Sequence, residues 1–132
     1  MTSWDELVGA LREKFPAATE GEGELRVGTA VLRRRVALDR VWVHVAAPVC
    51  HAGEIALHDL MCRNAVLPIG GFAVEGAQCV FQAPLCLDAV ALATVLKTIR
   101  WVSEQAAEWR AQTLRGEHPY GRLYAEESDR WA

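Results

Sequence analysis

The 132-residue chain has no excess of basic charge: 14 Lys and Arg stand against 17 Asp and Glu, for a net charge of -3. No global positive field is therefore available to draw in nucleic acid or an anionic membrane surface. The longest apolar stretches are broken by His44, Asp88 or Lys97, and none reaches the roughly 18 to 20 residues that span a bilayer as a helix. The opening Met1-Thr2-Ser3-Trp4-Asp5-Glu6 has neither the basic nor the unbroken apolar stretch of a secretory leader, so the expected location is the cytoplasm. The four cysteines, Cys50, Cys62, Cys79 and Cys86, include no CxxC pair, which leaves reduced, buried thiols as the expectation rather than a disulfide frame. A glycine-framed nucleophile turn, a phosphate-cradling loop and a paired-carboxylate motif are all missing. The expectation is a chain with no catalytic residues, no cofactor and no metal.

What is present is the balance of an ordinary globular protein, with 52% hydrophobic and 23% charged residues. The length suits one domain with its own core and is too short for two. Residues 1–115 are assigned to that domain and 116–132 to a polar C-terminal tail, in which Tyr120, Tyr124 and Trp131 recur at spacings of four and seven.

Ser3 followed by Glu6 makes a capping box. Trp4, Leu7, Val8, Leu11 and Phe15 then recur on one helical face until Pro16 ends the run. Glu20 to Glu24 alternates acid and glycine and reads as a turn. Leu25 to Val27, Val31 to Ala37 and Arg40 to Ala46 read as three strands, with the tip of the second hairpin at Asp39-Arg40. That register puts Val36, Val41 and Val43 on one face and Arg33, Arg35, Ala37, Trp42 and His44 on the other. Gly53 to Asn64 reads as a short helix with Leu57, Leu60 and Met61 along one side. Phe72 to Val74 and Cys79 to Ala83 form a hairpin around Gly76, closed by Pro84. Asp88 is the expected N-cap of a long final helix striped by Leu92, Val95, Leu96, Ile99, Val102, Ala106 and Trp109. The predicted fold class is α+β: helix, three strands, short helix, two strands, long helix, with an antiparallel sheet and both terminal helices on one of its faces.

That order of elements, over residues 3 to 110, resembles the type III secretion chaperone-like superfamily, including the YbjN and Tir-chaperone types. The most specific local matches are Leu60-Met61-Cys62-Arg63-Asn64, Gly70-Gly71-Phe72-Ala73-Val74 and Val80-Phe81-Gln82-Ala83-Pro84-Leu85. The resemblance implies a homodimer that binds a segment of a client protein, with no cofactor and no chemistry of its own. The self-complementary patch of such a dimer is assigned to Leu57, Leu60, Met61, Phe72 and Val74.

Arg33, Arg35, Trp42 and His44 are the candidate partner-binding residues. Arg and Trp are enriched in the energetic centres of protein interfaces, and a guanidinium lying over the Trp42 indole would add about 0.5 to 1 kcal/mol. The bland reading of the same residues is a solvated strand face with one aromatic. A regulator that binds nucleic acid is the alternative use of this face, opposed by the net charge and by the presence of one tryptophan where stacking platforms use several. The other alternative is a metal-dependent or thiol enzyme built on Cys50, His51, His58 and Cys62, against a plain reading of small hydrophobic thiols and surface imidazoles. The expected partners are a client protein and a second copy of the chain, with no nucleic acid and no membrane.

Overall fold

Ser3 accepts a hydrogen bond from the Glu6 backbone N–H at 3.1 Å, as the capping-box spacing requires, and opens α1, Trp4–Lys14. Leu7, Val8 and Leu11 are its buried residues. In this computed structural model, which describes residues 3–67 and 69–114 apart from the side chains of Leu57 and Leu114, α1 is followed by β1 (Thr19–Gly21), β2 (Glu24–Val27), β3 (Ala30–Ala37) and β4 (Arg40–His51). Next come α2 (Leu57–Val66), β5 (Gly71–Glu75), β6 (Gln78–Cys86) and α3 (Leu92–Leu114). The tail 116–132 lies outside the described residues. The strands form one antiparallel sheet in the order β1-β2-β3-β4-β6-β5.

The α+β class and the placement of the terminal helices are as predicted. Leu7 and Leu11 of α1 share one core with Val95, Val102 and Ala106 of α3 and with Leu25, Leu32, Val43, Val45, Phe81 and Ala83 from one face of the sheet. Trp101, Phe81, Phe72 and Trp109 continue this core as a chain of edge-to-face rings at 5.3 to 5.5 Å, a geometry that adds to what area burial alone contributes. No helix among the described residues is long and apolar enough to cross a membrane.

Four local expectations change. Thr19–Gly21 is a strand rather than part of a turn, because the turn is confined to Glu22-Gly23, where Gly23 takes a φ of 62°. Strand β4 runs through Pro48 to His51, and β6 runs through Pro84 to Cys86. Each proline is tolerated because the neighbouring strand on its N-facing side has already ended: β3 pairs no further than Ala46 of β4, and β5 no further than Gln82 of β6. The residues before α2 form a separate 3-10 turn, Ala52–Glu54, with the His51 Nδ1 accepting from Gly53 N–H at 3.2 Å. Asp88 does not cap α3; it sits exposed in a second 3-10 turn, Leu87–Ala89, where full burial of Leu87 holds the chain on the core until α3 starts at Leu92.

Gly70 joins α2 to β5 with a φ of 75°, and a Cβ there would lie 2.8 Å from the Gln82 carbonyl oxygen. Only glycine fits that approach.

Candidate partner-binding surface

The register Arg33↔His44 and Arg35↔Trp42 sets all four candidate residues on the sheet face turned away from the helices. Val36, Val41 and Val43 lie on the helix-facing side, as the alternation predicts. Arg33 is half-buried and forms ion pairs with Glu75 of β5 and, at 3.7 Å, with Glu24 of β2. The Glu75 hydrogen bond raises its pKa further. Two strands, β4 and β6, separate β3 from β5 in the sheet. On a flat sheet three strand spacings would amount to about 14 Å, so the contact means that the sheet curls around this face. The curl leaves a depression of about 330 Å³ whose lining includes Arg26, Val31, Arg33, Pro48, Glu75 and Val80.

Trp42 is tied to its own hairpin: the indole N–H donates to the Ala37 carbonyl at 3.0 Å. The cation–π contacts found among the described residues are made in the core by Arg63, over Phe72 at 5.6 Å and Trp109 at 5.1 Å, and not by Arg35 over Trp42. Arg35 instead acts on His44. Burial first, and the Arg35 charge second, hold the His44 imidazole below its ordinary pKa of 6.5.

The sheet's open edges differ sharply in what they offer another strand. Along β5, the Phe72 N–H donates to Asn64 Oδ1 at 2.6 Å and the Phe72 carbonyl accepts from Asn64 Nδ2 at 3.3 Å. The Asn64 amide thus occupies the place a neighbouring strand would take. Because Phe72 faces outward, the alternation of the antiparallel ladder turns Val80, Gln82 and Pro84 of β6 toward the β5 side. Past the end of β5 the edge therefore meets Pro84, which has no N–H to give. Edge strand β1 is three residues long. Strand β3 is different. The last β2 pair is Glu24↔Arg33, and one more bond follows, from Arg34 N–H to the Gly23 carbonyl at 2.9 Å. By the same alternation the Val36 N–H and carbonyl point outward beyond the end of β2. Among the described residues, 35–42 thus form a hairpin arm whose strand pairing lies along its β4 and β6 side. Its tip is the two-residue turn Leu38-Asp39, one residue earlier than the expected Asp39-Arg40 because Arg40 already pairs with Ala37; their φ of 53° and 58° are the left-handed pair of a type I′ turn. Val36 is 62% and Leu38 87% exposed.

The residues assigned to a dimer patch separate. Leu60 and Phe72 are buried in the chain's own core, Phe72 against Phe81 and Trp109, so their apolar surface is already used within the chain. Met61 and Val74 are 63% and 53% exposed, and Leu57 opens α2.

Cys50, His51, His58 and Cys62 are not brought together. Cys62 contacts His58 one turn away on α2, at 3.6 Å, whereas Cys50 on β4 faces Cys79 on β6 and His51 Nδ1 is taken by Gly53. Among the described residues no group of three or more His, Cys, Asp or Glu side chains is placed to hold a metal ion.

Two residues the sequence reading left as part of a pattern have defined roles. Arg63 is 3% exposed and donates to Thr113 Oγ1 at 2.8 Å, so it joins α2 to the end of α3, and Asn64 seals β5. Their signal was the local match Leu60-Met61-Cys62-Arg63-Asn64. Comparison of the chain with protein-family models and with curated proteins finds no match.

Proposed function

We propose that the chain is a non-enzymatic protein-binding module, a chaperone-like adaptor of the kind its sequence resembles, which takes an extended segment of a client protein as a further strand beside residues 34–37. The observation that supports this reading is the difference among the edges. Asn64, Pro84 and shortness blunt three of them, while the β3 arm presents outward backbone groups at Val36 beside exposed apolar Val36 and Leu38. Natural sheets guard their edges against strand addition, and an edge left open with apolar side chains is the geometry of peptide capture by β-augmentation. Arg35 and Trp42 flank the same arm on the helix-free face, where Trp42 supplies apolar area and Arg35 an orienting charge.

The test begins with the client that co-purifies with the wild-type chain, identified by mass spectrometry, and compares its retention by two variants. Val36→Pro removes the outward N–H while leaving the β4 pairs intact, and Arg35→Ala with Trp42→Ala removes the side-chain anchors. Both are expected to lose the client while remaining folded by circular dichroism. Full retention by both folded variants refutes the reading.

Self-association belongs to the same proposal. Met61, Val66, Ile69 and Val74, on α2, its connector and β5, are four of the six large apolar side chains exposed among the described residues, and their exposure supports a homodimer contact through this patch. Light scattering at micromolar concentration is expected to give a dimer for the wild type and a monomer for Met61→Glu with Val74→Glu. A monomeric wild type rejects this part.

A further inference from the structure

We infer that Cys50 and Cys79 are a reversible dithiol–disulfide site, oxidised by a low-molecular-weight disulfide of the glutathione class. The two residues are direct cross-strand partners on β4 and β6, side by side on the helix-facing side of the sheet. Facing residues of an antiparallel pair have Cα atoms about 4.5 to 5.5 Å apart, inside the range of about 4.4 to 6.8 Å that a disulfide bridges without backbone movement.

A bulge creates the pairing. Pro48 faces Val80 and the next matched pair is Cys50↔Cys79, so Val49 is an extra residue on β4. Up to Pro48 the strand alternates regularly, and unbroken alternation would turn Cys50 to the same face as Pro48, opposite Gln78 and away from Cys79. The inserted residue reverses that parity, and both Val49 and Cys79 are buried. Bulges re-aim a single side chain at the cost of ladder bonds; here the re-aimed side chain is a thiol and its new neighbour is a thiol.

The pair is asymmetric in access. Cys79 is fully buried, whereas Cys50 is partly exposed and lines an open cleft of about 240 Å³ with Pro48, His51, Glu54, Gln78 and Arg110. A small disulfide bearing carboxylates reaches Cys50 there, with the Arg110 cation on the wall to attract it. The Cys50 thiolate attacks one sulfur of the small disulfide, forming a mixed disulfide and releasing one small thiolate. Cys79, giving its proton to solvent, then attacks the Cys50 sulfur and releases the second small thiolate. Two protein thiols and one small disulfide become one protein disulfide and two small thiols, with both protons ending on the released thiolates. Burial pushes both cysteines up in pKa, Cys79 to about 12, and the nearby Arg63 guanidinium acts in the opposite direction. The low thiolate fraction makes both thiols slow to react.

The site lies at the far end of β4 from the client arm, so its failure and the failure of the proposed function are separate results. The experiment uses the full chain carrying Cys62→Ser and Cys86→Ser, titrated in buffers of oxidised and reduced glutathione. Intact-mass analysis is expected to show both remaining thiols lost together, a mass lower by two hydrogens, no retained glutathione, and full reversal by dithiothreitol. Adding Cys79→Ser is expected to trap glutathione on Cys50. In the wild type, digestion with trypsin and chymotrypsin separates Cys50 from Cys62 and Cys79 from Cys86, and the cross-linked peptides are expected to join Cys50 to Cys79. A stable glutathione adduct on Cys50 with Cys79 still reduced, a cross-link between two chains, or thiols unchanged in fully oxidised glutathione overturns the assignment.

Discussion

Replacing Asn64 by Ala isolates the contribution of one side chain to the integrity of a sheet edge. The substitution removes both partners of Phe72 at once, a 2.6 Å bond from its N–H and a 3.3 Å bond to its carbonyl. Phe72 itself is buried between α2 and the aromatic core, so water replaces Asn64 incompletely. A hydrogen bond of this kind contributes about 0.5 to 1.5 kcal/mol net, and a buried polar group left without a partner costs about 1 to 3 kcal/mol. The short N–H bond belongs near the upper end and the longer carbonyl bond near the lower, which gives an expected loss of about 2 kcal/mol. For a chain of this size that corresponds to a Tm lower by roughly 5 to 10 °C. Urea unfolding followed by tryptophan fluorescence measures the loss, and native-state hydrogen exchange supplies the site-specific readout: the Phe72 amide should exchange much faster while Phe81 and Ala83, bonded within the sheet, keep their protection relative to global stability. Asn64→Asp adds a sharper comparison, because the carboxylate keeps the acceptor for the Phe72 N–H and sets an oxygen against the Phe72 carbonyl. Unchanged exchange at Phe72 in Asn64→Ala, or a loss below about 0.5 kcal/mol, the size expected of an ordinary surface change, refutes the edge-sealing argument.

Phe81 is fully buried between Phe72 and Trp101, so Phe81→Ala should cost about 3 to 5 kcal/mol in denaturant unfolding, whereas Leu96→Ala, at a half-buried position, should cost less than about 2. Leu38 holds a left-handed conformation at an exposed turn, which costs a non-glycine residue roughly 1 to 2 kcal/mol; Leu38→Asn should stabilise the fold by about 1 kcal/mol in urea unfolding and weaken client retention, since the apolar tip is lost. The His44 pKa is lower in the fold than its ordinary 6.5, so the unfolded chain binds the proton first and this contribution to stability, complete above that value, is lost as pH falls through the folded pKa. Imidazole NMR should place the His44 midpoint below 6.5 and move it upward in Arg35→Gln, and a midpoint unaffected by that change would contradict the assigned role of Arg35.

Elements defined by a period and a cap were legible in the sequence. Ser3 and Glu6 located the start of α1, the stripe from Leu92 to Trp109 located the face of α3, and alternation put Arg33, Arg35, Trp42 and His44 together on one face because a strand offers only two. Features that depend on a neighbour were not. The third strand reads as ending at Ala46 and Pro84 reads as a strand end, since nothing local reveals that the strand beside Pro48 or Pro84 stops just short of it. The extra residue at Val49 leaves no mark in composition, yet it decides which face Cys50 occupies. Arg63 enters the sequence reading only as part of a local match; its burial requires Phe72 and Trp109 to arrive from far along the chain. The Arg33–Glu75 bridge likewise exists only once the sheet has curled.

The sheet contains one long-range seam. Strands β1 to β4 follow one another as a meander and β5 and β6 as a hairpin, so both units can form from local contacts alone, and only the β4–β6 ladder must bring distant segments together. Closing it first at His51 and Gln78 encloses about 27 residues, against about 44 when Trp42 meets Cys86 first, a difference of about 0.4 kcal/mol in loop entropy. The zipper should therefore start at the bulged end, beside the two thiols, and run toward the client arm. Refolding kinetics carry this signature: substitutions at Val49 and Cys79 should slow folding, while those at Val43 and Leu85, further along the same ladder, should mainly speed unfolding. The arm that remains open in the native state is then also the last part of the seam to close.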